Sequence, residues 1–166
     1  ARSFFSEMED SRLRAAMPGR PYRLTQTRPE GDAPPAAQQR AQRQALRPLE
    51  GIRVVDFSWV LTGPICTRYL AALGAEVIKV ESASRADLSQ RNLSWEELNP
   101  GKRSITLNLK HARGRALAGE LIARSHVVVE NFSTGVMERL GLGPDIVLAR
   151  NPKLVYGRMT GWGQDG

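Results

Sequence analysis

The sequence predicts an α/β fold from residue 48 to residue 166, a parallel sheet with helices on both faces. Three observations point to it. Short runs of β-branched and aliphatic residues alternate with stretches of helical spacing. Ile52 to Phe57 and His126 to Glu130 are apolar runs, the pattern of strands buried on both sides, while Ser104 to Leu109 alternates. The connections between them carry helices instead of hairpin turns, so successive strands run the same way.

Taken in order, Ile52 to Phe57 is the first strand. Thr62-Gly63-Pro64 then offers a cap-like threonine and a proline suited to a first helical turn, opening a helix to about Leu73 that Gly74 ends. Glu76 to Val80 is the second strand, and a polar loop follows from Glu81 to Arg91. Ser104 to Leu109 is the third strand. Ala112 to Arg124 is a helix with Leu117, Leu121 and Ile122 on one face. His126 to Glu130 is the fourth strand, Val136 to Leu140 and Asp145 to Ala149 are short helices, and Leu154 to Met159 is the fifth strand.

Two zones precede this domain. Residues 1–28 begin apolar at Phe4-Phe5 and carry a turn signal at Met17-Pro18-Gly19-Arg20-Pro21. Residues 29–47 contain Gly31, Pro34 and Pro35 among many Ala, Gln and Arg, with few large apolar side chains to offset ordering entropy. They read as a flexible linker, with room for a short helix between Ala36 and Leu46. The start at Ala1 and the glycine-rich close, Gly161 to Gly166, read as a piece of a larger polypeptide.

Composition narrows the classes. Apolar content of 41% and charged content of 25% are those of a globular domain. No apolar run approaches the roughly 20 residues of a membrane span, and no secretory segment is present, so neither membrane nor export is expected. The single cysteine, Cys66, forms no internal disulfide, which fits a cytoplasmic setting. The net charge of +7 suits an anionic partner, but the arginines before Pro48 are scattered, and nucleic acid is not expected.

Parallel sheets bind ligands at the carboxyl ends of their strands. Every such exit carries polar or aromatic residues: Ser58 to Pro64, the loop after Glu81, Asn108 to Lys110, Asn131 to Gly135, and Gly161 to Gln164. The helix start after the first strand is an anion site by its free N–H groups. A dinucleotide GxGxxG and a P-loop are both absent. His111, His126 and Cys66 lack metal-ligand spacing. The plainer expectations are that Lys79, Lys102 and Arg103 are solvated, that Cys66 is a small core residue and that Trp162 packs.

Motif order carries the reading further. Leu49-Glu50-Gly51-Ile52-Arg53-Val54-Val55-Asp56-Phe57, Gly63-Pro64 and Leu73-Gly74-Ala75-Glu76-Val77-Ile78-Lys79-Val80-Glu81 come first. Asn99-Pro100-Gly101-Lys102-Arg103-Ser104-Ile105, Asn108-Leu109-Lys110, Val128-Val129-Glu130-Asn131-Phe132, Met137-Glu138-Arg139-Leu140-Gly141 and Asn151-Pro152-Lys153-Leu154-Val155-Tyr156 follow. Together they resemble the opening of the CaiB/BaiF family, the family III CoA-transferases. Phe4 to Glu9 and Met17 to Thr25 resemble the C-terminal segment of the same family. The resemblance implies a Rossmann-like large domain, truncated, in residues 48–166. It implies the tail of a preceding unit in residues 1–28, as in a tandem protein.

Members of this family exchange CoA between an acyl-CoA and a free carboxylic acid, and relatives racemise 2-methylacyl-CoA. The resemblance implies CoA contacts at Leu61 and Thr62, at Leu107, Asn108, Leu109 and Lys110, at Asn131, Phe132 and Ser133, and at Arg139. CoA enters as substrate; no cofactor and no metal are implied. The catalytic aspartate, which forms aspartyl intermediates, is implied to lie beyond the Gly161 to Gln164 loop, so this chain holds no catalytic residue. Leu61 stands where transferases often have glutamine and Ser82 where they have arginine, with Arg85 near enough in sequence to substitute. Met159 to Gln164 leans toward the racemases, which leaves 2-methylacyl-CoA racemase as an alternative. A non-catalytic CoA-binding unit of a tandem protein is a second. The family also implies an interlocked homodimer, or its tandem equivalent.

Overall fold

The computed structural model describes residues 5–7, 16–18, 47–83 and 94–163. Two short strands, β1 (Phe5–Glu7) and β2 (Ala16–Pro18), form an antiparallel pair in which Ser6 lies opposite Met17. The remainder of the expected tail segment, nearly all of the linker with its Ala36–Leu46 helix, Arg85 and Gln164 to Gly166 lie outside the described residues.

From Arg53 the chain alternates strand and helix. The strands are β3 (Arg53–Asp56), β4 (Glu76–Glu81), β5 (Arg103–Thr106), β6 (Val127–Glu130) and β7 (Val155–Arg158). The helices are α1 (Thr62–Ala72), α2 (Ser94–Leu98), α3 (Ala112–Ala123), α4 (Val136–Arg139) and α5 (Pro144–Arg150). All five strands are parallel, in the spatial order β5-β4-β3-β6-β7. The chain therefore builds outward from β3 to one edge, returns, and adds β6 and β7 on the other side. At that reversal, between β3 and β6, the connections leave toward opposite faces, the position at which open parallel sheets form their ligand crevice.

Alternate strand residues feed two apolar layers. Val54, Val77 and Val129 pack with Ala75 and with Leu70 of α1 on one face. Val55 and Val128 pack on the other, with Ala118 and Ile122 of α3 and Val147 of α5. Burial on both sides explains why β3 and β6 are aliphatic without alternation, whereas β4 alternates. The end of α1 follows from Gly74 at φ +102, whose N–H donates to the Ala71 carbonyl while Ala75 N–H donates to Leu70. This pair of bonds is the Schellman arrangement.

Four expectations about the elements need correction. Leu61, not Thr62, is the N-cap of α1, and its side chain makes no capping bond. The short helix α2 falls in the stretch expected to be loop; Glu96 and Glu97 in its first turn were the available signal. In α3 the buried stripe is Gly114, Ala118, Gly119 and Ile122, while Leu117 is 45% exposed. Gly114 lets the helix backbone close on the Asn108 turn and Gly119 faces Leu142 and, on α5, Arg150, which leaves Leu117 on the outer side. The expected third strand also stops early: pairing ends at Thr106, and residues 107–110 leave the sheet.

Two α3 glycines differ sharply in surroundings. A Cβ at Gly114 would stand 2.1 Å from the Asn108 carbonyl oxygen, whereas one at Gly119 meets only ordinary contacts at 3.6 Å or more. Gly114→Ala is expected to lower the urea-unfolding free energy by about 1–3 kcal/mol through overpacking. Gly119→Ala is expected to be neutral or to raise it by up to about 1 kcal/mol through helix propensity. Equal effects at the two positions would contradict this packing.

Candidate functional site

The crevice between β3 and β6 is tied shut at its base by Asn131. Its Oδ1 accepts from Trp59 N–H at 2.9 Å and its Nδ2 donates to the Trp59 carbonyl at 2.9 Å. One side chain at the tip of β6 thus satisfies both backbone groups of a residue 72 positions away. The rings of Trp59 and Phe132 meet across the same gap, centroids 6.4 Å apart. Next along the loop, Val60 has φ 68, the one positive value outside glycine among the described residues. A β-branched residue adopts that conformation only under constraint. It turns the chain sharply enough to expose Leu61, 52% accessible, at the mouth of α1. Gly63 makes the approach possible, because a Cβ there would collide with Ser58 and press on Asn131. Exposed Thr62 accordingly stands at a helix start that no side chain caps, with Gly63 buried behind it.

Beneath this loop lies a polar cluster that the sequence did not reveal. Asp56 is fully buried; its Oδ1 accepts from the Ser58 N–H and hydroxyl and its Oδ2 from the Thr67 hydroxyl at 2.6 Å. Lys102, with a side chain 2% exposed, donates to Thr67 Oγ1 at 2.7 Å, the Pro64 carbonyl and Asn99 Oδ1 at 2.9 Å, and lies 3.2 Å from Asp56 Oδ2. Lys79 is also buried and donates to the Ser58 carbonyl at 2.8 Å. The expectation of solvated Lys79 and Lys102 is therefore wrong, and only Arg103, its side chain 77% exposed, fits it. Burial pulls the Lys102 ammonium below the ordinary lysine range, against the opposing pull of Asp56. The cluster pins α1 to the 99–102 turn and fixes where its N-terminus points.

The tip of β6 continues into Asn131, Phe132 and Ser133, of which Ser133 is exposed. Arg139, at the end of α4, is exposed, and its guanidinium lies over Gly135, where a Cβ would stand 3.0 Å from Nη1. At the β5 edge, Asn108 Oδ1 accepts from Lys110 N–H at 3.0 Å, and Arg115 donates to the Leu109 and Lys110 carbonyls at 3.3 and 2.9 Å. Leu107 is buried in the core and Leu109 half-buried, so Asn108 and Lys110 are the exposed side chains of that segment.

Leu61 and Thr62 thus leave β3, and Asn131 to Ser133 leave the adjacent β6, with Arg139 following on α4. The 107–110 segment shares the carboxyl rim but follows β5, two strands from β3, or about 10 Å across the sheet. Trp59, Val60, Asp56, Lys102 and Arg158 are structurally prominent residues to which the sequence assigns no site role of their own. Both histidines serve backbone groups: His111 Nδ1 accepts from Arg113 N–H and His126 Nδ1 from Arg53 N–H. No metal-binding cluster occurs among the described residues.

The profile of CoA-transferase family III matches residues 49–166. The chain belongs to this family. An acyl-CoA transferase of Fusarium pseudograminearum is 44% identical over 135 residues, covering 71% of this chain and 30% of the relative. The alpha-methylacyl-CoA racemase of Homo sapiens is 45% identical over 119 residues, covering 71% and 29%. A CaiB/BaiF family protein from Brucella suis shares the fold with a TM-score of 0.65 and 36% identity, over 72% of this chain and 35% of that one. The chain spans about a third or less of the length of these relatives.

Within this family III domain Cys66 is exposed on α1, not a core residue as its neighbours in sequence suggested. Its thiol is nonetheless pushed up in pKa, by the partial enclosure of its sulfur and then by Asp56, with Lys102 opposing. As the single thiol of the chain, it is expected to react with iodoacetamide at pH 8 more slowly than free cysteine; a faster rate would contradict that environment. Lys102→Met leaves the Asp56 carboxylate buried without its cation and is expected to cost about 3–5 kcal/mol in urea unfolding. Adding Asp56→Asn should restore most of that loss. If the double variant is no more stable than Lys102→Met alone, the pair is not the origin of the cost.

Proposed function

We propose that residues 48–166 form the CoA-binding half of a family III enzyme whose whole chain moves CoA between an acyl-CoA and a free carboxylic acid. The observation that carries this reading is the uncapped start of α1 at the crevice, side by side with the Asn131–Ser133 tip and with exposed Arg139 and Lys110 on the same rim. CoA carries phosphates at one end and a thioester at the other. Arg139 and Lys110 offer charge-assisted hydrogen bonds to the phosphates, and the start of α1 at Thr62 offers a donor to anionic or carbonyl oxygen. Leu61, Phe132 and the Trp59 ring line the more apolar part.

In this reading an aspartyl side chain supplied outside the described residues attacks the thioester carbonyl and CoA thiolate leaves. The thiolate then attacks the aspartyl carbonyl of the resulting anhydride, releasing the acid and leaving an aspartyl-CoA thioester. Asp56 is no substitute, since its carboxylate is buried and already accepts from Ser58, Thr67 and Lys102. The 45% identity to a racemase supports the second reading, α-proton exchange on a 2-methylacyl-CoA.

Calorimetric titration with CoA tests the binding claim. Lys110→Ala and Arg139→Ala are each expected to weaken binding about tenfold or more, the scale of a lost charged hydrogen bond. Affinity unchanged in both variants would remove the assignment.

A further inference from the structure

The tips of β6 and β7 hold a charge cluster that CoA contacts do not account for. Glu130, the last residue of β6, is 1% exposed. Its Oε1 accepts from Arg158 Nε at 2.9 Å and its Oε2 accepts from the Phe132 N–H at 2.8 Å. The same guanidinium reaches outward, with Nη1 2.8 Å from Oε1 of Glu138 on α4. Glu138 is the residue before Arg139. One arginine on β7 therefore ties a carboxylate lying under the Asn131–Ser133 segment to the helix that carries Arg139.

Packing alone does not explain this arrangement. A buried carboxylate is costly unless paired, and an aliphatic side chain would fill the place without that cost. What the carboxylate adds is direction. Accepting from Phe132 N–H fixes how the chain turns off the sheet, and the forked guanidinium sets that turn against α4 in one geometry.

We propose that Arg158 is a positioning residue: by bridging Glu130 and Glu138 it aligns the Asn131–Phe132–Ser133 segment with Arg139 for the bound ligand. The ligand part of this proposal rests on the CoA reading above. The charged and titratable groups facing Glu130 are Arg158 and Tyr156 from β7 and Glu138 from α4. Burial pushes the Glu130 carboxyl above the usual range; the Phe132 amide and Arg158 hold it down, and Glu138 opposes them. Loss of Arg158 therefore raises it further, and the carboxylate takes up its proton at higher pH than in the wild type.

The test uses the full chain and CoA. Arg158→Gln is expected to weaken CoA binding about tenfold, the scale of one charged hydrogen bond lost when Arg139 is no longer aligned. The acid-side loss of affinity should begin at higher pH than in the wild type, and Arg158→Lys should recover part of both effects. CoA's own phosphate titration is common to all three proteins and cancels in the comparison. A folded Arg158→Gln protein with wild-type affinity and pH profile overturns the proposal. Should Arg158→Gln fail to fold, Glu138→Gln, which removes only the outer arm, decides: weakened binding supports the bridge and unchanged binding overturns it. If the wild type binds no CoA, the CoA reading falls, and hydrogen exchange at the Phe132 amide decides the positioning claim alone. Faster exchange in the variant, Arg158→Gln or Glu138→Gln, that folds supports it; an unchanged rate overturns it.

Discussion

The two hydrogen bonds from Asn131 to the backbone of Trp59 hold together the place where the sheet changes direction. β3 and β6 are neighbours in space but lie far apart in the chain, and their loops depart to opposite faces. Across the tips, Asn131 satisfies both backbone groups of Trp59. With it, the strained turn at Val60 and the uncapped start of α1 are held beside the Asn131–Ser133 segment. The crevice is thus a consequence of topology, and its shape a consequence of one amide.

Two buried ionic devices support that arrangement from either side. Under α1, Asp56 and Lys102 share Thr67 and lock the helix to the 99–102 turn. Under the β6 tip, Glu130 and Arg158 connect the loop to α4. Buried pairs of this kind add little net stability compared with well-packed apolar residues, but they specify geometry because each donor and acceptor has one satisfactory place. A rim meant to receive a charged, extended molecule has use for such fixed directions.

Much of this was legible in the sequence, and for physical reasons. β3 and β6 are short aliphatic runs because both their faces are covered, and the helical connections between strands gave the parallel direction. The rim loops followed from the same topology, and family motifs drew attention to Asn131 and Arg139. What stayed hidden depends on distant partners. Nothing local to Lys102 announces Asp56, 46 residues earlier, as its counter-ion, and an isolated lysine reads as solvated. Leu117 reads as inward from side-chain type alone, because its type does not show the helix rotation that buried Gly114 and Gly119 mark, and Cys66 reads as inward because it neighbours apolar residues on α1. Helix α2 is a short polar segment whose start signal, Glu96 and Glu97, resembles an ordinary loop.

The central claim is that ligand binding belongs to the carboxyl rim of the sheet. Mapping amide chemical-shift changes on the isotope-labelled chain as CoA is added tests it most directly. The account predicts that the largest changes fall at residues 58–63, 107–110 and 131–139, with residues 49–52, 74–75 and 151–154 on the opposite rim unmoved. Changes centred on that opposite rim, or spread evenly over both, would contradict it.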